Sequence, residues 1–205
     1  MQELFSLIRD RRSIRKYQNK PVPQVLIEDV LVAAGWAPSA HNAQPWRFII
    51  LTKDAAKKEL AEAMAEFWAA DMAKDGVEIE EEVRKVRVER FATAPVVVLA
   101  CSTMEGMNKQ PDVERQKVEQ DLAMQSLGAA IQNLLLMAHA KGLGACWFCA
   151  PGFCKSTVRA VLNIPENVEP QALIAMGYPD EKPAVPSRKA AGDYCFRDRW
   201  GTKFG

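Results

Sequence analysis

The chain is 205 residues long and 48% hydrophobic, which amounts to a single domain with enough apolar material for one core and excludes a disordered or fibrous class. Lys and Arg total 27 against 26 Asp and Glu, a net charge of +1, so no overall field favours nucleic acid or an anionic membrane. There is no run of 18 apolar residues and no basic N-terminal stretch leading into an apolar core, so neither a membrane span nor export is expected. The five cysteines (Cys101, Cys146, Cys149, Cys154, Cys195) are odd in number, and are read as thiols of a reducing, cytoplasmic setting.

Residues 2 to 10 place Leu4, Phe5, Leu7 and Ile8 on one helical face, and the helix runs into the basic cluster Arg11-Arg12-Ser13-Ile14-Arg15-Lys16. After Pro21 and Pro23, residues 24 to 36 repeat apolar positions at helical spacing and stop at Gly35 and Pro38. Pro38 to Pro45, with small polar residues between two prolines, reads as an ordered loop. Residues 46 to 52, 95 to 101 and 144 to 149 are β-branched or aromatic enough to be inner strands of one sheet. Between the first two strands, residues 54 to 92 predict two charged amphipathic helices broken at Gly76, with Glu80 to Glu82 and Arg84, Lys85, Arg87 and Arg90 forming a solvated face.

Residues 115 to 141 carry the longest helical pattern, with Leu122, Ala129, Ile131, Leu134, Leu135 and Ala138 inward and Gly142 closing it. It is apolar on more than one face, which suits the centre of the fold or a dimer interface, and Gly128-Ala129-Ala130 would admit a second helix closely. A helix at 156 to 162 and a strand at 171 to 177 follow. The tail from 178 to 205 has Tyr194, Phe196, Trp200 and Phe204 without periodicity, and is expected to pack on a neighbouring subunit.

Three elements could carry chemistry. Arg11, Arg12, Ser13 and Arg15 offer guanidinium forks and a hydroxyl that match phosphate oxygens, or else a cationic helix end that complements the helix dipole. Ser39, His41, Asn42 and Gln44 offer groups able to bond the carbonyls and ring nitrogens of a heterocycle. Residues 142 to 152 run from a helix end through a strand into a turn with Pro151 and Gly152, where main-chain amides become free to face a ligand. Cys146, Cys149 and Cys154 have a spacing that with His139 or Cys195 could hold a metal; alternation along the strand, which sends Cys146 and Cys149 to opposite faces, favours plain thiols and no metal. No catalytic triad or carboxylate dyad stands out.

In their order and spacing these elements resemble the FMN-dependent nitroreductase superfamily. The resemblance rests on Arg-Arg-Ser-Ile-Arg-Lys-Tyr at 11 to 17, Ala-Pro-Ser-Ala-His-Asn-Ala-Gln-Pro-Trp-Arg-Phe at 37 to 48, Gly-Leu-Gly-Ala-Cys-Trp at 142 to 147 and Gly-Tyr-Pro at 177 to 179. With Val-Arg-Ala-Val-Leu-Asn-Ile-Pro at 158 to 165, the pattern is most similar to the C-terminal reductase domain of the bacterial enzyme that completes the deazaflavin coenzyme, without that enzyme's ligase domain. The resemblance implies an α+β fold over residues 1–205, helices around a central mixed sheet, and an intertwined homodimer with FMN at the interface. It implies that Arg11, Ser13 and Arg188 hold the FMN phosphate, with Arg12 beside it and Lys189 a weaker candidate, and that Arg15 lies at the pyrimidine edge of the ring.

Pro38, Ser39, Ala40 and Asn42 would reach the flavin from the partner subunit, with Gln44 buttressing their loop. The amides near Cys149 and Ala150 would face the hydride-accepting ring nitrogen. His41 would either touch flavin or acceptor or stabilise its loop, and residues 54 to 92, with Phe67, Trp68 and Met72, would either cover the flavin or stay peripheral. The implied activity is ping-pong hydride transfer from NAD(P)H to an electron-poor acceptor such as a nitroaromatic or quinone. A deazaflavin-type precursor as acceptor, or flavin binding without turnover, are the competing expectations.

Overall fold

A computed structural model describes residues 2–204. Helices α1 (Gln2–Asp10) and α2 (Gln24–Gly35) precede strand β1 (Trp46–Leu51), and the pair α3 (Asp54–Lys74) and α4 (Glu81–Ala92) leads into β2 (Val96–Thr103). The long α5 (Val113–Ala140) follows, then β3 (Gly144–Phe148), α6 (Lys155–Leu162) and β4 (Val168–Gly177). The strands lie in the order β1-β2-β4-β3 and every neighbouring pair is antiparallel. The expected mixed sheet is therefore antiparallel in its named strands, and the parallel element is one bridge, Ser13 to Ala145, on the outer edge of β3.

Alternation along the two inner strands sorts the core into two layers. Val96, Val98 and Ala100 of β2, with Ile174 and Met176 of β4, meet α2 and α5 through Val30, Leu127, Ile131 and Leu134. Val97, Leu99 and Cys101, with Leu173 and Ala175, face Leu60 and Met64 of α3, Phe91 of α4 and Val158 of α6. Both strands are covered on both sides, which explains their unbroken apolar runs. Each such Leu or Ile contributes about 1.5–3 kcal/mol of transfer free energy.

Three expectations need correction. The segments at 46 and 144 were expected inside the sheet but form its edges, and the second ends at Phe148. On α5 the fully buried positions are Ala123, Leu127, Ala130, Ile131, Leu134 and Ala138, while Leu122 and Ala129 are half-buried. A helix with apolar residues on several faces does not reveal its inward face by composition alone. At Gly128 the neighbour within this chain is the Trp147 ring, 3.9 Å from where a Cβ would stand.

The charged face of α4 is solvated as expected, with Arg84 paired to Glu81 at 3.3 Å. Leu4, Phe5 and Ile8, the apolar face of α1, are exposed, as are Trp36 after α2 and Tyr194, Trp200 and Phe204 in the tail. No helix among the described residues is long and apolar enough to cross a membrane.

Candidate functional site

The basic segment leaves α1 at Asp10 and runs along the free edge of β3. The Ile14 N–H donates to the Ala145 carbonyl (3.1 Å), and Ile14 packs so closely over Gly144 that a Cβ there would lie 2.7 Å from its side chain. Glycine at 144 is thus the residue that lets this segment dock. The chain just past β4 clamps the other side: Asp180 N–H donates to Lys16 O (3.0 Å), Gln18 N–H to Tyr178 O (2.9 Å), and the Glu181 carboxylate accepts from the N–H groups of Arg15 and Lys16. The Tyr17 hydroxyl sits between Ile14 O and Ala175 O, and burial, first among the causes, pushes its pKa up. Glu181 and Tyr17 position the cluster without resembling ligand-binding residues, and only long-range contacts reveal them.

Within the cluster the arginines divide. Arg12 turns back, its Nη1 donating to Arg9 O (2.6 Å) and Arg11 O (2.8 Å), and so closes the C-terminal end of α1. The dipole-complementing alternative therefore describes Arg12. Arg11, Arg15 and Lys16 have no carboxylate within ion-pair distance among the described residues. Arg11 and Arg12 border a cavity of about 430 Å³ with Leu135, His139, Leu143 and Lys182. Burial, and then the charge of Arg11, hold His139 below its ordinary pKa. On the other side of the strand, burial raises the Cys146 thiol, opposed by Arg15, a hydrogen bond from Ser13, Arg90 and Arg11. Ser13, Arg11 and Arg15 thus all lie along the β3 edge, Arg11 on its cavity side and Ser13 and Arg15 near Cys146. Arg188 and Lys189 lie exposed in the tail, where the Arg188 guanidinium donates to Ser187 O (3.2 Å); no hydrogen bond joins either to the cluster among the described residues.

The turn after β3 carries few main-chain donors already in use. Pro151 has no N–H and Gly152 N–H is spent on Cys149 O (3.1 Å). Neither Cys149 N–H nor Ala150 N–H has a partner among the described residues outside the strand ladder. Cys149 is exposed, while Cys146 and Cys154 are buried in the sheet's flanks. Arg90 lies over the Phe148 ring at 5.9 Å, bringing α4 to this end of β3. Trp68 is covered by Arg87 at 4.1 Å, and Phe67, Trp68 and Met72 are half-buried.

The loop from Pro38 to Gln44 is held at the opposite edge, ahead of β1. His41, Asn42 and Gln44 have φ of 56°, 52° and 48°, left-handed conformations that each cost a non-glycine residue about 1 kcal/mol or more. Local bonds compensate: Ser39 Oγ accepts from Gln44 N–H (3.1 Å), and Ser126 Oγ of α5 accepts from Ala40 N–H (3.2 Å). His41 Nε2 lies 3.1 Å from Glu119 Oε2, and Gln110 donates to Glu119 Oε1 at 3.0 Å. The Gln110 hydrogen bond, with His41 beside it, holds the Glu119 carboxyl below the usual range. Pro38, Asn42 and the Gln44 side chain face outward. Glu119, buried mid-helix, gave no sequence signal beyond being a charged residue on an apolar helix.

The loop bonds α5 at Glu119 and Ser126, whereas the basic cluster meets it at Leu135 and His139. At about 1.5 Å per residue, Glu119 and His139 are about 30 Å apart. The loop and the cluster also flank opposite sheet edges, about 14 Å apart at three strand spacings. One chain therefore offers a cationic edge, with the Cys149 and Ala150 amides at the end of β3, and a polar loop well separated from it.

Residues 8–178 match the Nitroreductase family. Over 190 residues, 93% of this chain and 91% of the relative, the chain is 32% identical to a Bacillus subtilis protein named "Putative NAD(P)H nitroreductase YfhC". It is 33% identical over 186 residues, covering 89% of this chain and 81% of the relative, to a Methanothermobacter thermautotrophicus protein named as an NADH dehydrogenase/NAD(P)H nitroreductase. Among solved structures, a BluB-like flavoprotein from Clostridium difficile superposes with a TM-score of 0.76 at 25% identity, covering 96% of this chain and 99% of that one. The family match covers residues 8–178 and a relative 32% identical is matched over 93% of this chain and 91% of its own length: the chain belongs to the nitroreductase family of oxidoreductases.

Proposed function

We propose that the protein is an FMN-dependent homodimeric oxidoreductase that passes hydride from NAD(P)H to an electron-poor acceptor, a nitroaromatic or a quinone, by a ping-pong route. The observation that carries this reading is the set of cations without carboxylate partners on the β3 edge, Arg11 and Arg15 with Ser13 between them, continuous with the free amides of Cys149 and Ala150. That donor set fits a phosphorylated, electron-accepting heterocycle: guanidinium and hydroxyl for a dianion, main-chain N–H for a ring acceptor.

FMN bound there would supply reversible hydride chemistry, which no side chain of this protein offers. Arg11 and Ser13 bind the phosphate, and Arg12 secures the helix end that presents them. Arg15, its backbone held by Glu181, places positive charge where the reduced ring becomes anionic, and so favours reduction. The main-chain N–H groups of Cys149 and Ala150 would hold the flavin ring. Pro38, Ser39, Ala40 and Asn42, held by Gln44 and α5, contact it from the second subunit; the separation of loop and cluster within one chain supports that division. Arg188 and Lys189 join the phosphate only if the tail closes over it. The pair α3–α4, through Trp68 and Arg90, shapes the acceptor end.

The purified protein is expected to be yellow and to oxidise NADH or NADPH in the presence of benzoquinone. Arg11→Ala with Ser13→Ala removes two charge-assisted contacts of about 1.5–3 kcal/mol each, so FMN affinity should fall at least about 100-fold in a fluorescence titration. Unchanged affinity would overturn the assignment.

A further inference from the structure

The left-handed loop holds the one His–Glu pair recorded among the described residues, and no step of hydride delivery uses it. Glu119 is 5% exposed, on a helix otherwise buried through apolar side chains and Ser126. A buried carboxylate is costly unless its oxygens are bonded, and here Gln110 donates to Oε1, His41 Nε2 lies 3.1 Å from Oε2, and the Asn108 main chain also supports the charge. His41 is the one charge recorded acting on it. The arrangement is therefore built around the imidazole, whose ring remains partly open to solvent (38% of the side chain). Asn108, from the loop after β2, flanks the ring with its amide nitrogen 3.2 Å from Nε2 and 3.4 Å from Nδ1, and adds no charge. With His41 doubly protonated, Nε2–H donates to Glu119 and Nδ1–H is left for an outside acceptor once the Asn108 amide rotates.

We propose that Glu119 is a positioning residue that holds His41 as the proton donor to the acceptor being reduced. This rests on the reading in which the loop of one chain lies against the flavin of the other. Hydride delivery alone leaves a quinone as the mono-anion of its hydroquinone. The two electrons and one hydrogen nucleus come from the reduced nicotinamide by way of the flavin, and the second proton moves from His41 Nδ1 to the oxygen that gained charge. The products are neutral hydroquinone and neutral imidazole, and the imidazole regains its proton from water. Glu119 fixes which ring nitrogen faces the acceptor and keeps the cationic ring from drifting into solvent.

The test uses the flavin-loaded enzyme, reduced anaerobically with NADH or NADPH and then mixed with 1,4-benzoquinone or with ferricyanide, which takes single electrons and no proton. His41→Gln should lower the quinone-to-ferricyanide rate ratio about 100-fold, a typical worth of general acid catalysis. Glu119→Gln should lower the same ratio about 10-fold, through the limiting rate and not the half-saturating quinone concentration. Equal slowing with both oxidants, or a ratio unchanged in His41→Gln, would overturn the proposal. His41 is exposed, so that variant carries the test even if Glu119→Gln does not fold. Failure of the flavin reading itself is distinguishable, because it shows as a colourless wild-type protein before any oxidant is added.

Discussion

His139 illustrates how much a single side chain depends on its neighbours. It lies near the end of α5, against the cavity that Arg11 and Arg12 border, and burial, followed by the charge of Arg11, lowers its pKa. Its folded pKa is below the ordinary imidazole value of 6.5, so on acidification the unfolded chain takes up a proton that the folded chain refuses. Stability of the flavin-free protein should therefore decline as pH drops below about 6.5, the decline ending at the folded value. His139→Gln should flatten that part of the curve, read as urea midpoints between pH 7.5 and 5.5; an unaltered slope would assign the effect to other groups. From the sequence His139 reads as a core histidine or a metal ligand. Its actual surroundings come from Arg11, more than a hundred residues earlier, and are invisible to spacing. The same holds for Glu119 and Glu181, which local pattern treats as ordinary charged residues and which become the anchors of His41 and Arg15.

Among elements, the pairing of the basic segment with β3 is the contact on which the cationic edge depends. Ile14 fills the space over Gly144, and its branched side chain has no flexible end to move away. Gly144→Ala should destabilise the fold by about 1–3 kcal/mol through overpacking and weaken FMN binding in parallel, because Ser13 and Arg15 flank Ile14. Ile14→Ala in the same chain should recover part of both losses, a coupling that urea unfolding and flavin titration would measure. Additive losses would mean that the two residues do not share this contact. Helix and strand positions were legible, though not every end, because each element carries its own periodicity and several carry a stop: Gly76 at φ 75° between α3 and α4, Gly142 at φ 76° after α5. Sheet order was not legible, since β1 and β3 are as β-rich as the inner strands and differ only in what lies beside them.

On the scale of the whole molecule, one chain leaves too much apolar surface uncovered. Leu4, Phe5 and Ile8 on α1 face solvent, Trp36 is 83% exposed, and Trp200 of the tail is 89% exposed beside Phe196. Patches of this kind mark contact surfaces. With the loop and the basic cluster about 30 Å apart along α5, the homodimer proposed above would both cover this surface and bring loop and cluster together. Sedimentation should accordingly give a dimer. Leu4→Glu with Ile8→Glu, placing charge on the α1 face, should raise the monomer fraction and lower flavin affinity together. A monomeric variant with full flavin affinity would show that one chain completes the site.

Taken alone, the amino-acid sequence determined the local features: the helices and strands, the cationic run between Arg11 and Lys16, the polar loop before Trp46 and the turn after Phe148. Each is written in neighbouring residues, through apolar period, turn chemistry or side-chain type. The tertiary structure decided which cations lack carboxylate partners, that Arg12 closes α1 while Arg11 and Arg15 remain available, that the sheet is antiparallel, and that a buried Glu119 stands behind His41. Those outcomes depend on groups brought together from distant parts of the chain, where electrostatics and packing follow distance in space and not position in the sequence.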